Sequence, residues 1–251
     1  MNDSILTESL RVAWSDLCFF KRNIVSILIS CLVGPLLYLV AFGYGLGKGM
    51  EVEGLEYITF VIPGIIALTT LSASFNSTAT KVLVQRTYYM SFDELMLCPI
   101  RVPSVVIGKS LIGVIRGLIS CTLLIILGLL LSSELIVTPM LIISIVLSCF
   151  TFSFLGICAG LLANSHQTLN LFTSLVIVPM TFLCGTIFSL SALPDFVQVL
   201  ISVLPLTPVT ECIRAAAVGS VFPWASFAMV VIYCAIFYSI NYYLLKKRRN
   251  V

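Results

Sequence analysis

The sequence predicts an all-α membrane protein with six transmembrane helices, and three observations carry that prediction. The first is composition: 59% of the 251 residues are hydrophobic and 10% are charged, against about 25% charged in ordinary soluble domains. The second is length of run. A helix needs about 20 apolar residues to cross the hydrocarbon, because each residue advances it by about 1.5 Å. Six stretches meet that need, roughly 24–46, 58–80, 104–132, 135–163, 168–189 and 222–245. The alternating ten-residue strands of a membrane β-barrel are not seen. The third is charge. With six spans, one side receives Arg11, Lys21 and Arg22, the group from Lys81 to Lys109, and the closing run Lys246-Lys247-Arg248-Arg249. The other side receives Lys48 with Glu51, Glu53 and Glu56, then Glu134, Asp195, Glu211 and Arg214. The bias of Lys and Arg predicts that both termini are cytoplasmic and that the protein is multi-pass in the plasma (inner) membrane. The polar connections are short, so residues 1–251 are expected to form a single membrane domain.

The elements follow in order. Residues 4–20 place Leu6, Leu10, Trp14 and Leu17 on one side and Ser4, Glu8, Arg11 and Ser15 on the other. That spacing predicts an amphipathic helix lying in the interface, as a plain anchor or as a contact surface for a partner. With Asp3 and Glu8 and no basic start, this segment does not read as a cleavable signal. Span one carries Gly34-Pro35, which should kink it. Span two ends in TTLSASFNSTAT (69–80), rich in hydroxyls and containing Asn76. Such groups either line a polar path or hold helices together.

The connection after span two, KVLVQRTYYMSFDELMLCPIRVP (81–103), contains Ser91-x-x-Glu94, the pattern of a capping box. Asp93 and Glu94 suit a positive helix end, and Pro99 should stop the helix at Cys98. A short helix over 92–98 is predicted. Phe92, Leu95 and Met96 give it an apolar side, which either docks into a soluble partner or packs back on its own spans.

PSVVIGKS (103–110) resembles a phosphate-binding loop, with Gly108, Lys109 and Ser110 in place. Such a loop needs a preceding strand and a glycine where Pro103 stands, and it leads into a soluble helix. Here a membrane span follows, so Lys109 is expected to snorkel to the headgroups. Arg116 is the one costly charge within span three.

Span five carries Thr173, Ser174, Thr181 and Thr186. The segment 189–223 is apolar but cut by Pro194, Pro205 and Pro208, and is expected to form two short re-entrant helices on the outer side. Glu211 and Arg214, three apart, are able to pair on one helix face or to meet a substrate. Most of the nine cysteines lie within apolar runs without metal-binding spacing, and there is one histidine, His166. A lipid-modifying membrane enzyme or an ion-coupled carrier is the alternative to a pump. Both need intramembrane carboxylates or a cluster of Asp, His or Glu, and the acids here are scattered.

Taken together, the interfacial start, the six spans, FDELMLCPIRVPSVVIGKSL and CGTIFSLSALPDFVQVLISVLPLTPVTECIRAAAVG resemble the permease subunits of type-2 ABC exporters. This family includes export permeases for nodulation factors, polysaccharides and drugs. The resemblance covers essentially the whole chain. It implies a half-transporter that works with a cytoplasmic ATP-binding subunit and a second permease copy, identical or related, among membrane lipid. It implies no cofactor, metal or nucleic acid on this chain, with ATP and Mg bound by the partner subunit. Phe92, Asp93, Glu94, Leu95 and Arg101 then match the coupling helix region. Thr69, Ser72, Asn76, Thr181 and Thr186 are candidates for the translocation path of an amphipathic solute, a drug, lipid or lipid-linked saccharide. Pro205, Thr207 and Arg214 form the outer motif.

Overall fold

The computed structural model describes residues 5–22, 51–52, 55–131, 135–186 and 201–249, with isolated positions between 27 and 40 and residue 198. Among the described residues the elements are helical apart from a minimal antiparallel pair, β1 (Glu51–Val52) with β2 (Leu55–Glu56). The helices are α1 (Ile5–Arg22), α2 (Tyr57–Thr87), α3 (Ser91–Leu97), α4 (Val102–Leu131) and α5 (Pro139–Leu162). They continue with α6 (His166–Phe172), a π-helical turn (Thr173–Ile177), α7 (Val178–Leu183), α8 (Leu206–Val218) and α9 (Trp224–Arg249).

Among the described residues, four helices are long and apolar enough to cross a membrane: α2, α4, α5 and α9. They coincide with the predicted spans two, three, four and six, although α2 runs on past residue 80 to Thr87. Predicted span one lies outside the described residues except at isolated positions. The stretch predicted as span five is divided among α6, the π turn and α7 over 166–183, none of which alone is long enough to cross a membrane, and residues 187–189 lie outside the described residues. Of the two outer helices expected in 189–223, α8 is described, and residues 189–197 lie outside the described residues.

α2 is the centre of the bundle, buried along most of its length between α4, α5 and α8. Small residues let the neighbours approach. A Cβ added at Gly156 of α5 would meet the Phe75 carbonyl oxygen of α2 at 2.8 Å. In lipid, where there is no hydrophobic drive between helices, such close backbone packing supplies much of the cohesion. The buried hydroxyls of Thr69, Thr70 and Thr78 donate within α2, to the carbonyls of Ile65, Ala67 and Ser74. A side chain that returns its own hydrogen bond to the helix is able to enter the apolar core without stranding a polar group.

Side-chain clamps close both ends. At one end Thr138 caps α5, accepting from the Leu141 amide, and donates to the Ala216 carbonyl of α8. At the other, which we call the basic end, the Arg86 guanidinium donates to the carbonyls of Leu161 and Ala163 and to Asn164 Oδ1. It thus takes up carbonyls that the last turn of α5 leaves without helical partners. α9 is held to α5 by Asn241, whose Nδ2 donates to the Phe154 carbonyl at 2.7 Å.

Candidate functional site

The basic end gathers α1, α3 and the start of α4. The chain leaves α2 through a turn in which the amides of Tyr88 and Tyr89 both donate to the Val84 carbonyl. Met90 then adopts a left-handed conformation, φ 53°, and α3 begins at Ser91. This corrects the expected capping box. Met90, one residue earlier, occupies the cap, with no side-chain bond, and its carbonyl accepts from the amides of Asp93 and Glu94. The helix covers 91–97, because Cys98 is extended ahead of Pro99. The two acids sit in the first turn and face solvent.

The apolar side of α3 is not a free knob. Phe92 is 1% exposed and lies in a buried cluster with Val82, Val106, Phe154, Leu161 and Leu245. Leu95 and Met96 are half-buried against the same cluster. Of the two readings of this apolar side, Phe92 follows the one in which it packs back on the chain's own spans: a full aromatic ring is buried at the root of the helix. The open surface is formed by Tyr88, Tyr89, Met90, Asp93, Glu94 and Leu97, the last 87% exposed. Arg101 is exposed, and its amide donates to Glu8 Oε2 at 3.4 Å.

Glu8 also accepts from Ser104 Oγ at 2.7 Å, so α1 supplies a carboxylate to the start of α4, where the helix dipole favours it. Further along, Lys109 is 5% exposed and does not snorkel. Its Nζ donates to Asp16 Oδ2 at 3.1 Å and to Gln85 Oε1 at 2.8 Å. Gln85 Nε2 donates to Asp16 Oδ1, and Lys81 Nζ stands 3.6 Å from the same oxygen. The reason is local geometry: Ser9, Val12, Ala13 and Asp16 share the buried face of α1, which covers Lys109. Leu6, Leu10 and Trp14 are exposed on its other side. Sequence reasoning missed this network. Its signal was Asp16 itself, an acid in register with the small residues of α1.

The candidate path residues divide. Asn76 and Thr80 are exposed on α2, with Ser72 and Ser77 half-buried beside them, so one stripe of the helix is polar and open. Thr181 is half-buried and donates to the Val178 carbonyl. Thr69 is buried inside the bundle, and so is Thr186, which donates to the Thr181 carbonyl. The Thr186 carbonyl oxygen abuts α2 so closely that a Cβ at Gly64 would come within 1.9 Å of it. Of the outer motif, Pro205 is the residue preceding α8 and Thr207 is buried, donating to the Ile201 carbonyl at 2.7 Å. Arg214 reaches the Gly185 carbonyl at 2.7 Å and lies over the Phe60 ring at 3.8 Å. Glu211 accepts from Ser226 of α9.

Helices of bilayer length, joined at one end by a short, rooted helix with an exposed tip, define a polytopic membrane protein with a surface turned to something outside the lipid. The chain belongs to the ABC-2 type transporter family, whose match covers residues 10–218. It is thereby a membrane transport permease of the ABC class. It is similar to the inner membrane transport permease YadH of Escherichia coli, 24% identical over 255 residues, 97% of this chain and 96% of that protein. It is also similar to nodulation protein J of Rhizobium meliloti, 26% identical over 223 residues, 82% of each. Nodulation protein J of Sinorhizobium fredii is 27% identical over 208 residues, 78% of this chain and 76% of that protein.

Proposed function

We propose that this chain is the permease half of an ATP-driven exporter in the inner membrane, with both termini cytoplasmic. A separate ATP-binding subunit, holding ATP and Mg, docks on α3 and drives it, and a second permease copy completes the transporter. The observation that carries this reading is the division of α3 into a buried root and an exposed acidic tip. A rooted helix passes a push directly to α2 and α4, whereas a free one would absorb it. On this reading Asp93, Glu94 and Leu97, with Tyr88 and Tyr89, touch the partner. Phe92, Leu95 and the Glu8 link to Arg101 transmit the motion.

Ser72, Asn76 and Thr80 form an open stripe on α2, and on this reading that stripe, with Thr181, faces the second copy and the solute path. Its uncharged polar groups suit an amphipathic or lipid-linked solute moving outward. Thr69 and Thr186 would act from behind, by holding the wall.

The test is reconstitution in proteoliposomes with the ATP-binding subunit that co-purifies with the chain. Leu97→Asp combined with Asp93→Lys should leave the permease folded and inserted, abolish its stimulation of ATP hydrolysis, and stop solute efflux. Undiminished stimulation by that variant would overturn the docking surface, and ATP hydrolysis by the isolated chain would overturn the whole reading.

A further inference from the structure

The basic end contains a cleft that the roles above do not use. α5 ends at Leu162 under the Arg86 clamp, and beside it α9 ends at Arg249. Between them is a cavity of about 440 Å³ lined by Leu161, Leu162, Leu244, Lys247 and Arg248. That volume falls in the range of small-molecule sites, roughly 300–1,000 Å³.

Its chemistry is divided. Leu162 and Leu244 form an aliphatic wall with Leu161 buried behind them, and Leu162 is exposed at 60% with no described element covering it. Two cations sit at the other side. Among the described residues, neither Lys247 nor Arg248 has a carboxylate within ion-pair distance. Arg86 lies near enough to feel the charge of Arg248 and, in the opposite sense, that of Asp93. Asp93 is the acid of this region, and it lines a second cleft, of about 280 Å³, with Met96, Leu97, Arg248 and Arg249. Lys246 points elsewhere, toward the Tyr242 ring.

We propose that the 440 Å³ cleft binds an anionic phospholipid of the leaflet at the basic end, with the phosphodiester between Lys247 and Arg248 and the upper acyl chain along Leu162 and Leu244. Two like charges at the mouth of an apolar groove, at the level where two spans leave the bilayer, match a ligand that is itself anionic at one end and aliphatic at the other. Basic pockets between spans select such headgroups. A zwitterionic lipid brings an ammonium group that opposes the same cations. A free phosphate ion would leave the leucines unused. Bound lipid would bridge α5 to α9.

The proposal assumes the basic end meets the cytoplasmic leaflet, as proposed above, but its test reads lipid retention and needs neither ATP nor sidedness. The purified full chain is exchanged into micelles with equal phosphatidylglycerol and phosphatidylcholine, then examined by native mass spectrometry. Phosphatidylglycerol should be retained over phosphatidylcholine, and Lys247→Ala with Arg248→Ala should lower that retention about tenfold or more. Lys246→Ala with Arg249→Ala removes equal charge outside this cleft and should leave retention unchanged. Leu162→Trp keeps every charge but fills the groove, and should expel the lipid. Excess inorganic phosphate should not displace it. Equal retention of the two lipids, equal losses in the two double variants, or displacement by phosphate would each overturn the proposal. Unchanged gel-filtration profiles show that the variants remain folded.

Discussion

Lys109 and Asp16 show what a buried charge demands of its surroundings. The ammonium lies between one carboxylate and one amide oxygen, and the carboxylate also meets Gln85 and Lys81. Removing one partner of a buried pair leaves the other charge uncompensated, at a cost of about 3–5 kcal/mol. The two deletions are not equivalent. Lys109→Met leaves Asp16 with Gln85 and Lys81, whereas Asp16→Asn leaves the Lys109 charge with neutral oxygens. Asp16→Asn should therefore be the more damaging, and the double variant should be more stable than Asp16→Asn alone, as read by thermal unfolding of the detergent-solubilised protein. Equal midpoints for all three variants would show that the pair contributes nothing. At Gly156 the constraint is steric. Gly156→Ala must push α5 from the Phe75 carbonyl, and overpacking of this kind costs about 1–3 kcal/mol. A lowered unfolding midpoint is the expected readout.

At the scale of elements, α3 separates anchoring from contact. Phe92→Ala removes a ring buried in its cluster and should destabilise by about 3–5 kcal/mol. The loss should appear as faster hydrogen exchange across 88–100, while Leu97→Ala should leave exchange there unchanged. Much of this architecture was legible beforehand. Spans two, three, four and six follow from unbroken apolar runs, since in lipid a helix is the structure that satisfies the backbone within a single segment. The stop at Cys98 follows from Pro99. What was not legible depends on contacts between segments far apart in the chain. A seven-residue helix has two faces, and its own letters do not say which is covered; Phe154 and Leu245 decide that for Phe92. The capping box failed because the turn at Tyr88–Met90 already offered the Met90 carbonyl and a left-handed entry. Lys109 read as a snorkelling residue because Asp16 stands 93 positions away.

For the molecule as a whole, sidedness is open to a direct test. Cys18 and Cys98 are exposed at the basic end, while Cys121, Cys149, Cys184 and Cys212 are buried. A membrane-impermeant maleimide should leave Cys98 unlabelled in intact cells and label it in inverted vesicles; replacing Cys18, Cys31, Cys158 and Cys234 with Ser leaves Cys98 as the one exposed thiol among the described residues. Labelling of Cys98 from outside would reverse the proposed orientation. α2 sits against α4 and α5 with almost no slack, its backbone touching glycine where a larger side chain would be rejected. On the proposed transport role, a change of cargo therefore has little room to arise among these packed helices. The keel is frozen, and diversification is steered to the hull, along the open stripe of α2 and the exposed side of α6.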